Sequence, residues 1–332
     1  MTDGTMRAVL CEEWCDFDDL KMTDLARPEL GPGQARIAVR YAGVSFATTL
    51  VVAGKYQRKP PLPFAPGTEI AGEVLDVADG VTRIKPGDRV FGAIDWGGYA
   101  EEVCVPAVNL HVLPEELPFD AAPALAISYP TSFGGLIWRA RLDRGETLLV
   151  HGAAGGVGLA AVEIGVALGA TVIGVASSEE KRAVVESRGA AAIDGSELKK
   201  QVLERSGGVD VVYDPVGGDM ARETLSCLKP DGRLVSIGYA AGGIPEVGYN
   251  ILLVKNISVM GFNYGEYVGW GLVDRRDEYA PRVDDAQKQL LDWWQGGQIQ
   301  PTVHARFPLE QFREAMAEVQ DRRAIGRVVM EI

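Results

Sequence analysis

From residue 149 the chain reads Leu149-Val150-His151-Gly152-Ala153-Ala154-Gly155-Gly156-Val157-Gly158. Small residues let backbone N–H groups approach a charged diphosphate closely, and a helix that starts there adds unpaired N–H groups and positive dipole. Ala154, Gly155, Gly156 and Val157 are the expected contacts to a pyrophosphate, and Gly158 allows tight packing of helix on strand. About 20 residues further on, a site for the ribose hydroxyls of NAD usually carries Asp or Glu. This chain instead has Val175-Ala176-Ser177-Ser178, followed by Lys181 and Arg182. The hydroxyls of Ser177 and Ser178 and the cation of Lys181 suit a 2′-phosphate, so the expected cofactor is NADPH. Glu179 and Glu180 read as the start of the next helix. Ser177 also suits an N-cap, and Lys181 a solvated surface position.

The elements around this loop have the form the chemistry needs. Thr147–His151 reads as an apolar strand. Residues 156–168 read as a helix with Val157, Ala161, Ile164 and Leu168 on one face. Further strands are expected at 171–176, 209–213, 233–237 and 257–261, all buried, with a helix at 179–188 and a helical stretch at 129–141. Alternation of this kind implies a doubly wound parallel Rossmann sheet with helices on both faces, an α/β fold. The first third differs. Segments 35–41, 70–77 and 89–93 read as strands with Gly and Pro punctuation, such as Lys85-Pro86-Gly87-Asp88, and imply an irregular β-rich domain. Helices are expected at 284–294 and 310–320, and a closing strand at 326–332. That last strand suggests a return to the first domain, which would occupy residues 1–125 and 265–332, with the nucleotide-binding domain at 126–264.

Composition narrows the class. The 332 residues suggest about two domains, and 47% are hydrophobic, enough for a substantial core. The formal net charge of -13 argues against a surface that coats nucleic acid. No apolar run approaches the roughly 20 residues of a membrane helix, and Met1–Arg7 does not read as a secretory signal. A cytoplasmic location is therefore expected. The four cysteines form no Cys-x-x-Cys set, which argues against a structural zinc lobe, and three histidines leave little material for a metal site.

Several segments together resemble the quinone oxidoreductase branch of the medium-chain dehydrogenases/reductases, of the zeta-crystallin type. They are Ala42-Gly43-Val44-Ser45-Phe46, Gly54-Lys55-Tyr56, the run Pro61 to Gly72, the phosphate loop, Val209 to Asp214, Asn250 to Leu253 and the closing Gly326-Arg327-Val328-Val329. The similarity spans about residues 7–332. It implies a Rossmann domain beside a GroES-like β-rich catalytic domain, and a small-molecule substrate, a quinone or enone.

In zinc-dependent relatives Gly-His-Glu stands where this chain has Gly67-Thr68-Glu69, and a ligand Cys lies near Ser45. Thr68 cannot replace an imidazole and Ser45 is a poor ligand, so no metal is expected. Without a Lewis acid on the substrate oxygen, the chemistry shifts toward acceptors that are already electrophilic. The resemblance places Tyr56 at the nicotinamide side of the cleft, where it contacts the cofactor or donates to a substrate carbonyl. A partly buried core tyrosine fits the same spacing. Thr131 matches a threonine near the nicotinamide. Gly238, Tyr239 and Ala240 follow a strand at the carboxyl edge of the sheet. Phe262 and Asn263 are expected to offer backbone groups to the carboxamide, and Arg323 matches an arginine near the adenosine phosphate or is a solvated helix-end charge. Two departures stand out. Ser45 and Thr48 replace the Asn and Asp of many relatives, and Gly195 replaces a Tyr near the 2′-phosphate. The aromatic-rich stretch 264–270 suits either a flat wall for an aromatic substrate or a surface loop packed on the core.

The expected reaction is hydride transfer from NADPH C4 to an electron-poor carbon, with Tyr56 and Ser45 stabilising the developing oxygen charge. An enoyl or alkenal reductase fits the same residues, as does an NADPH-binding protein with little turnover. A zinc alcohol dehydrogenase fits them less well. By resemblance, the strand at 257–261 is expected to pair across a homodimer, since an open sheet edge is a liability.

Overall fold

The computed structural model describes residues 4–332; the first three, at the start of the expected first domain, lie outside it. The chain divides into two units. One comprises Met1–Ile127, Gly265–Gln287 and Pro301–Ile332, and the other Ser128–Tyr264 and Lys288–Gln300.

The first unit is built on a seven-stranded sheet. Along it run Val303–Pro308, Arg327–Glu331, Gln34–Val44, Glu69–Val77, Arg89–Ala93 and Leu110–Val112, while Glu102–Pro106 pairs with Gln34–Val44 off this path. The pairings are antiparallel except that of Val303–Pro308 with Arg327–Glu331. Shifts in register between Gln34–Val44 and Glu69–Val77 kink the long strand and let it serve two sets of partners. Its core includes Ile37, Ile70, Val90, Leu110, Tyr99 and Phe312, all buried. The closing strand adds Val328 and Met330 to that core and pairs antiparallel with Tyr41–Val44. A separate two-stranded ribbon joins Thr5–Leu10 to Lys21–Ala26.

The second unit is a six-stranded parallel sheet in the order Ala191–Ile193, Thr171–Val175, Thr147–Val150, Val209–Asp214, Leu228–Ser236, Ser258–Gly261. The strand order reverses between Thr147–Val150 and Val209–Asp214, which is where such sheets open a crevice for ligands. The helix expected to show one apolar face, Gly156–Ala167, is instead buried on nearly every side from Gly158 to Gly165. A helix that is hydrophobic all round belongs in a core. Here it is covered by the Ser128–Phe133 helix as well as by the sheet. The expected helical stretch at 129–141 is Ser128–Phe133 followed by a wider helical turn, Gly134–Ala140, closed by Arg141 at φ 51°.

One strand expected to be buried is not. Ser258–Gly261 forms the edge of the sheet and is mostly exposed, because no further strand covers its outer side. The segment Lys288–Gln300, read from sequence with the first domain, packs in the second unit. There Trp293 meets Phe133 at 5.8 Å between ring centroids, and the Gln300 N–H donates to Glu163 at 2.9 Å. No helix among the described residues is long and apolar enough to cross a membrane.

Candidate active site

In the second unit the glycine-rich turn follows Thr147–Val150, all four residues of which are buried. Gly152 turns the chain at φ 57°, and the Ala153 N–H donates to Val175 O at 3.0 Å, tying the turn to the neighbouring strand. A Cβ on Gly158 would lie 2.1 Å from Gly152 O, so only a residue without a side chain lets the helix start this close to the turn. The helix begins after Gly155 with no side-chain cap, leaving the N–H groups of its first turn to an outside acceptor. Ser132 Oγ donates to Val157 O at 2.7 Å and shares a 2.8 Å hydrogen bond with Tyr213 Oη, fixing that first turn from behind. Together these features fit a dinucleotide pyrophosphate.

The turn has firm support beneath it. His151 is fully buried, its Nε2 2.7 Å from Thr224 Oγ1, and burial holds its pKa below the usual histidine value, so the ring is neutral. Asp214 Oδ1 accepts from the N–H groups of Val216 and Gly217 at 2.9 and 3.0 Å, shaping the turn across the crevice. Neither His151 nor Asp214 was singled out from sequence; each looks like an ordinary strand end until the parallel order places them side by side.

The positions expected at the adenosine end divide. Ser178 caps the helix Glu179–Ser187, its Oγ accepting the Lys181 N–H at 3.2 Å. Ser177 is exposed at the strand end. Arg182 reaches back over that end, with Nη1 donating to Ala176 O at 3.2 Å. The signal was available in the spacing, since residue 182 follows the cap by four and shares its face. Asp194 closes the next strand and accepts from Gln201, Ser196 Oγ and Ser196 N. These bonds, Gln201 first, bring its pKa down to about 2.

Gly238, Tyr239 and Ala240 lie at the carboxyl edge of the sheet, where Ala240 N donates to Pro215 O at 3.1 Å. Thr131 is buried within Ser128–Phe133. Phe262 and Asn263 follow the last strand, but the Phe262 N–H is committed to Ser236 O at 3.0 Å and is not available to a carboxamide. Arg323 lies in the first unit, where its guanidinium binds Glu318 at 2.8 Å and also Asp321. It has the setting of a solvated helix-end charge.

The first unit carries its own concave site. Tyr56 lines an apolar pocket with Thr48, Phe64, Thr68, Trp96 and Trp270. Burial raises the Tyr56 pKa above that of free tyrosine, against a hydrogen bond with Gln57 and the Arg58 charge, so the phenol keeps its proton across the neutral range. Ser45 takes a different role from the one expected. It caps the short helix Phe46–Val52, accepting the Thr48 N–H at 3.2 Å and sharing a 2.9 Å hydrogen bond with Thr48 Oγ1. Thr48, not Ser45, faces the pocket. Beneath the pocket Glu69 is buried and ion-paired with Arg327. Gly43 leaves room for it, since a Cβ there would sit 2.5 Å from Glu69 Oε2.

These donors do not suit zinc. Thr68 and Ser45 are poor ligands, and Glu69 is already paired with Arg327. Among the described residues no group of three or more His, Cys, Asp or Glu side chains is placed to hold a metal ion.

Two family models match the chain: an alcohol dehydrogenase GroES-like domain over residues 31–115, and a zinc-binding dehydrogenase over residues 156–280. A quinone oxidoreductase-like protein 2 homolog from Nematostella vectensis is 40% identical over 98% of this chain and 88% of that protein. A human synaptic vesicle membrane protein VAT-1 homolog is 33% identical over 98% of this chain and 86% of its own length. Among solved structures, Escherichia coli quinone oxidoreductase complexed with NADPH superposes with a TM-score of 0.88 at 28% identity, covering 98% of this chain and 100% of that one. Identity at this level over nearly the full length, on the fold and loop described above, means that the chain belongs to the quinone oxidoreductase branch of the medium-chain dehydrogenase/reductase superfamily.

Proposed function

We propose that this chain is a reductase that takes hydride from NADPH and delivers it, without a metal, to a quinone or another electron-poor acceptor. The observation that carries the proposal is Tyr56, a protonated donor in an apolar pocket where Thr68 stands in place of a zinc-binding histidine. A structural relative crystallised with NADPH supports the cofactor.

When bound, the cofactor supplies the hydride from C4 of its nicotinamide. The protein's own groups do the rest. The first-turn N–H groups after Gly155 would hold the pyrophosphate, and Ser177 with Arg182 would hold the 2′-phosphate. In the acceptor pocket the Tyr56 hydroxyl donates to the oxygen on which negative charge develops, in a setting with little competing water. Solvent delivers the final proton. Ser45 supports this arrangement through Thr48 and makes no direct contact.

A panel of quinones and α,β-unsaturated carbonyl compounds, assayed with NADPH and with NADH, tests the reading. Tyr56→Phe should lower kcat at least about tenfold while leaving NADPH affinity within twofold. Faster turnover of enones than of quinones would reassign the acceptor class. The VAT-1 relative, whose name describes a membrane protein and no reaction, favours a second reading, an NADPH-binding protein with little turnover. Tight NADPH binding with no oxidation across the panel would establish that one.

The proposal includes a homodimer and a cytoplasmic location. The open edge Ser258–Gly261 follows in sequence the helix Tyr249–Lys255, whose Tyr249, Leu253 and Val254 are 86, 78 and 79% exposed. A second copy would cover both. Light scattering at micromolar concentration should give twice the chain mass, and a monomer there would reject the dimer. Four unpaired thiols suit a reducing compartment.

A further inference from the structure

Arg58 enters the pocket of the first unit between two indoles, its Cζ 5.1 Å from the Trp96 ring centre and 5.7 Å from that of Trp270. It is also fixed by hydrogen bonds. Nη2 donates to Asp95 Oδ1 at 2.6 Å, and Nη1 to the Asp95 carbonyl at 3.2 Å. Asp95 in turn accepts from Arg276 Nη2 at 3.1 and 3.2 Å, and Arg276 Nε is held by Asp274 at 2.9 Å. The result is an alternating row, Arg58, Asp95, Arg276, Asp274, whose charges cancel. Arg58 and Asp95 both line the pocket, so a cation and its counter-charge meet the ligand as one neutral, hydrogen-bonded pair.

A guanidinium stacked on aromatic faces is normally well suited to gripping an anion. Here the carboxylate of Asp95 already occupies that role. An acceptor bearing its own carboxylate would have to displace Asp95 or sit beside it, and like charges at close range in a partly desolvated site repel. A neutral flat ring meets no such penalty and gains contact with Tyr56, Phe64, Trp96 and Trp270.

We propose that Asp95 is a specificity-determining residue: by pinning Arg58 it makes the pocket select neutral, planar acceptors over anionic ones. This rests on the reading of the pocket as the acceptor site. Asp95→Asn keeps a hydrogen-bond acceptor beside Arg58 and removes the charge.

The experiment compares 1,4-naphthoquinone with a 1,4-naphthoquinone bearing a carboxylate side chain. The quantity read is the ratio of their kcat/KM values in each variant, so that differences in reactivity between the two compounds cancel. Asp95→Asn should raise the ratio of carboxylated to neutral acceptor about tenfold, and adding Arg58→Gln should return it to within threefold of the starting value. A ratio that moves less than twofold in Asp95→Asn, or that stays raised in the double variant, overturns the inference. Should none of the proteins oxidise NADPH with either compound, the reductase reading fails by itself. The same ratio taken from calorimetric dissociation constants then decides the role of Asp95, and absence of binding by both rings also overturns it.

Discussion

Glu69 and Arg327, 258 positions apart in the chain, form an ion pair inside the first unit, with 1% and 10% of their side chains exposed. The strand Arg327–Glu331 thereby meets the strand that leads out of the apolar pocket around Tyr56. Removing one partner strands a buried charge. Arg327→Met should therefore destabilise the protein by about 3–5 kcal/mol, and replacing both residues with apolar ones should recover most of that loss. Thermal unfolding checks both statements; a single variant as stable as the parent would contradict the first.

The phosphate turn makes a sharper demand at one position. Gly158→Ala places a methyl group 2.1 Å from Gly152 O, and backbone on both sides leaves nothing flexible to yield. The expected outcome is a loss of about 1–3 kcal/mol of stability and at least tenfold weaker NADPH binding. Fluorescence titration with the reduced cofactor measures the second effect, and unchanged affinity would count against the assigned pyrophosphate site.

Cofactor choice should depend more on Arg182 than on Lys181. Arg182→Ala should weaken NADPH about tenfold or more and leave NADH nearly unaffected, as expected for one lost charge-assisted contact to a phosphate. Lys181→Ala should have the smaller effect. Dissociation constants for both cofactors in both variants give the comparison, and equal losses for NADPH and NADH would remove the 2′-phosphate from the explanation.

His111 sets a pH dependence. Burial, aided by the Arg83 charge and opposed by Asp284, lowers its pKa to about 4. The unfolded chain takes up this proton near 6.5 and the folded one near 4, so stability falls as pH drops through that interval, by up to about 1.4 kcal/mol per unit. Above 6.5 the contribution is absent, and below 4 the loss is complete. His111→Gln should flatten this part of the stability profile. An identical slope in parent and variant would show that another group carries it.

Much of the second unit is legible in the residues because parallel strands and their helices leave long, regular apolar patterns. The turn from Gly152 to Gly158 needs glycine for reasons visible locally. What escapes is whatever depends on position within the sheet. Ser258–Gly261 reads as apolar and therefore buried, yet it is the edge strand, and only the order of the strands reveals that. The even burial of Gly156–Ala167 has the same origin, a layer contributed by another stretch of chain. Within the site, Tyr56 is marked only by the resemblance of the segment Gly54-Lys55-Tyr56, whereas Ser45 misleads. A serine before a short helix serves as its cap, and the hydroxyl the pocket receives belongs to Thr48 three residues later. Arg58 and Asp95 carry no signal in sequence, because their pairing exists only once two loops 37 residues apart converge.

The division of the C-terminal third between the two units fixes an order of assembly. The nucleotide-binding unit is complete once residue 300 has left the ribosome, since Gln300 supplies the last hydrogen bond to Glu163. The sheet of the first unit still lacks Val303–Pro308 and Arg327–Glu331 at that moment, and Glu69 still lacks its cation. The half of the protein made first is thus the half finished last, and a nascent chain stalled after residue 302 would carry all six strands of the parallel sheet but a first unit still missing two of its own.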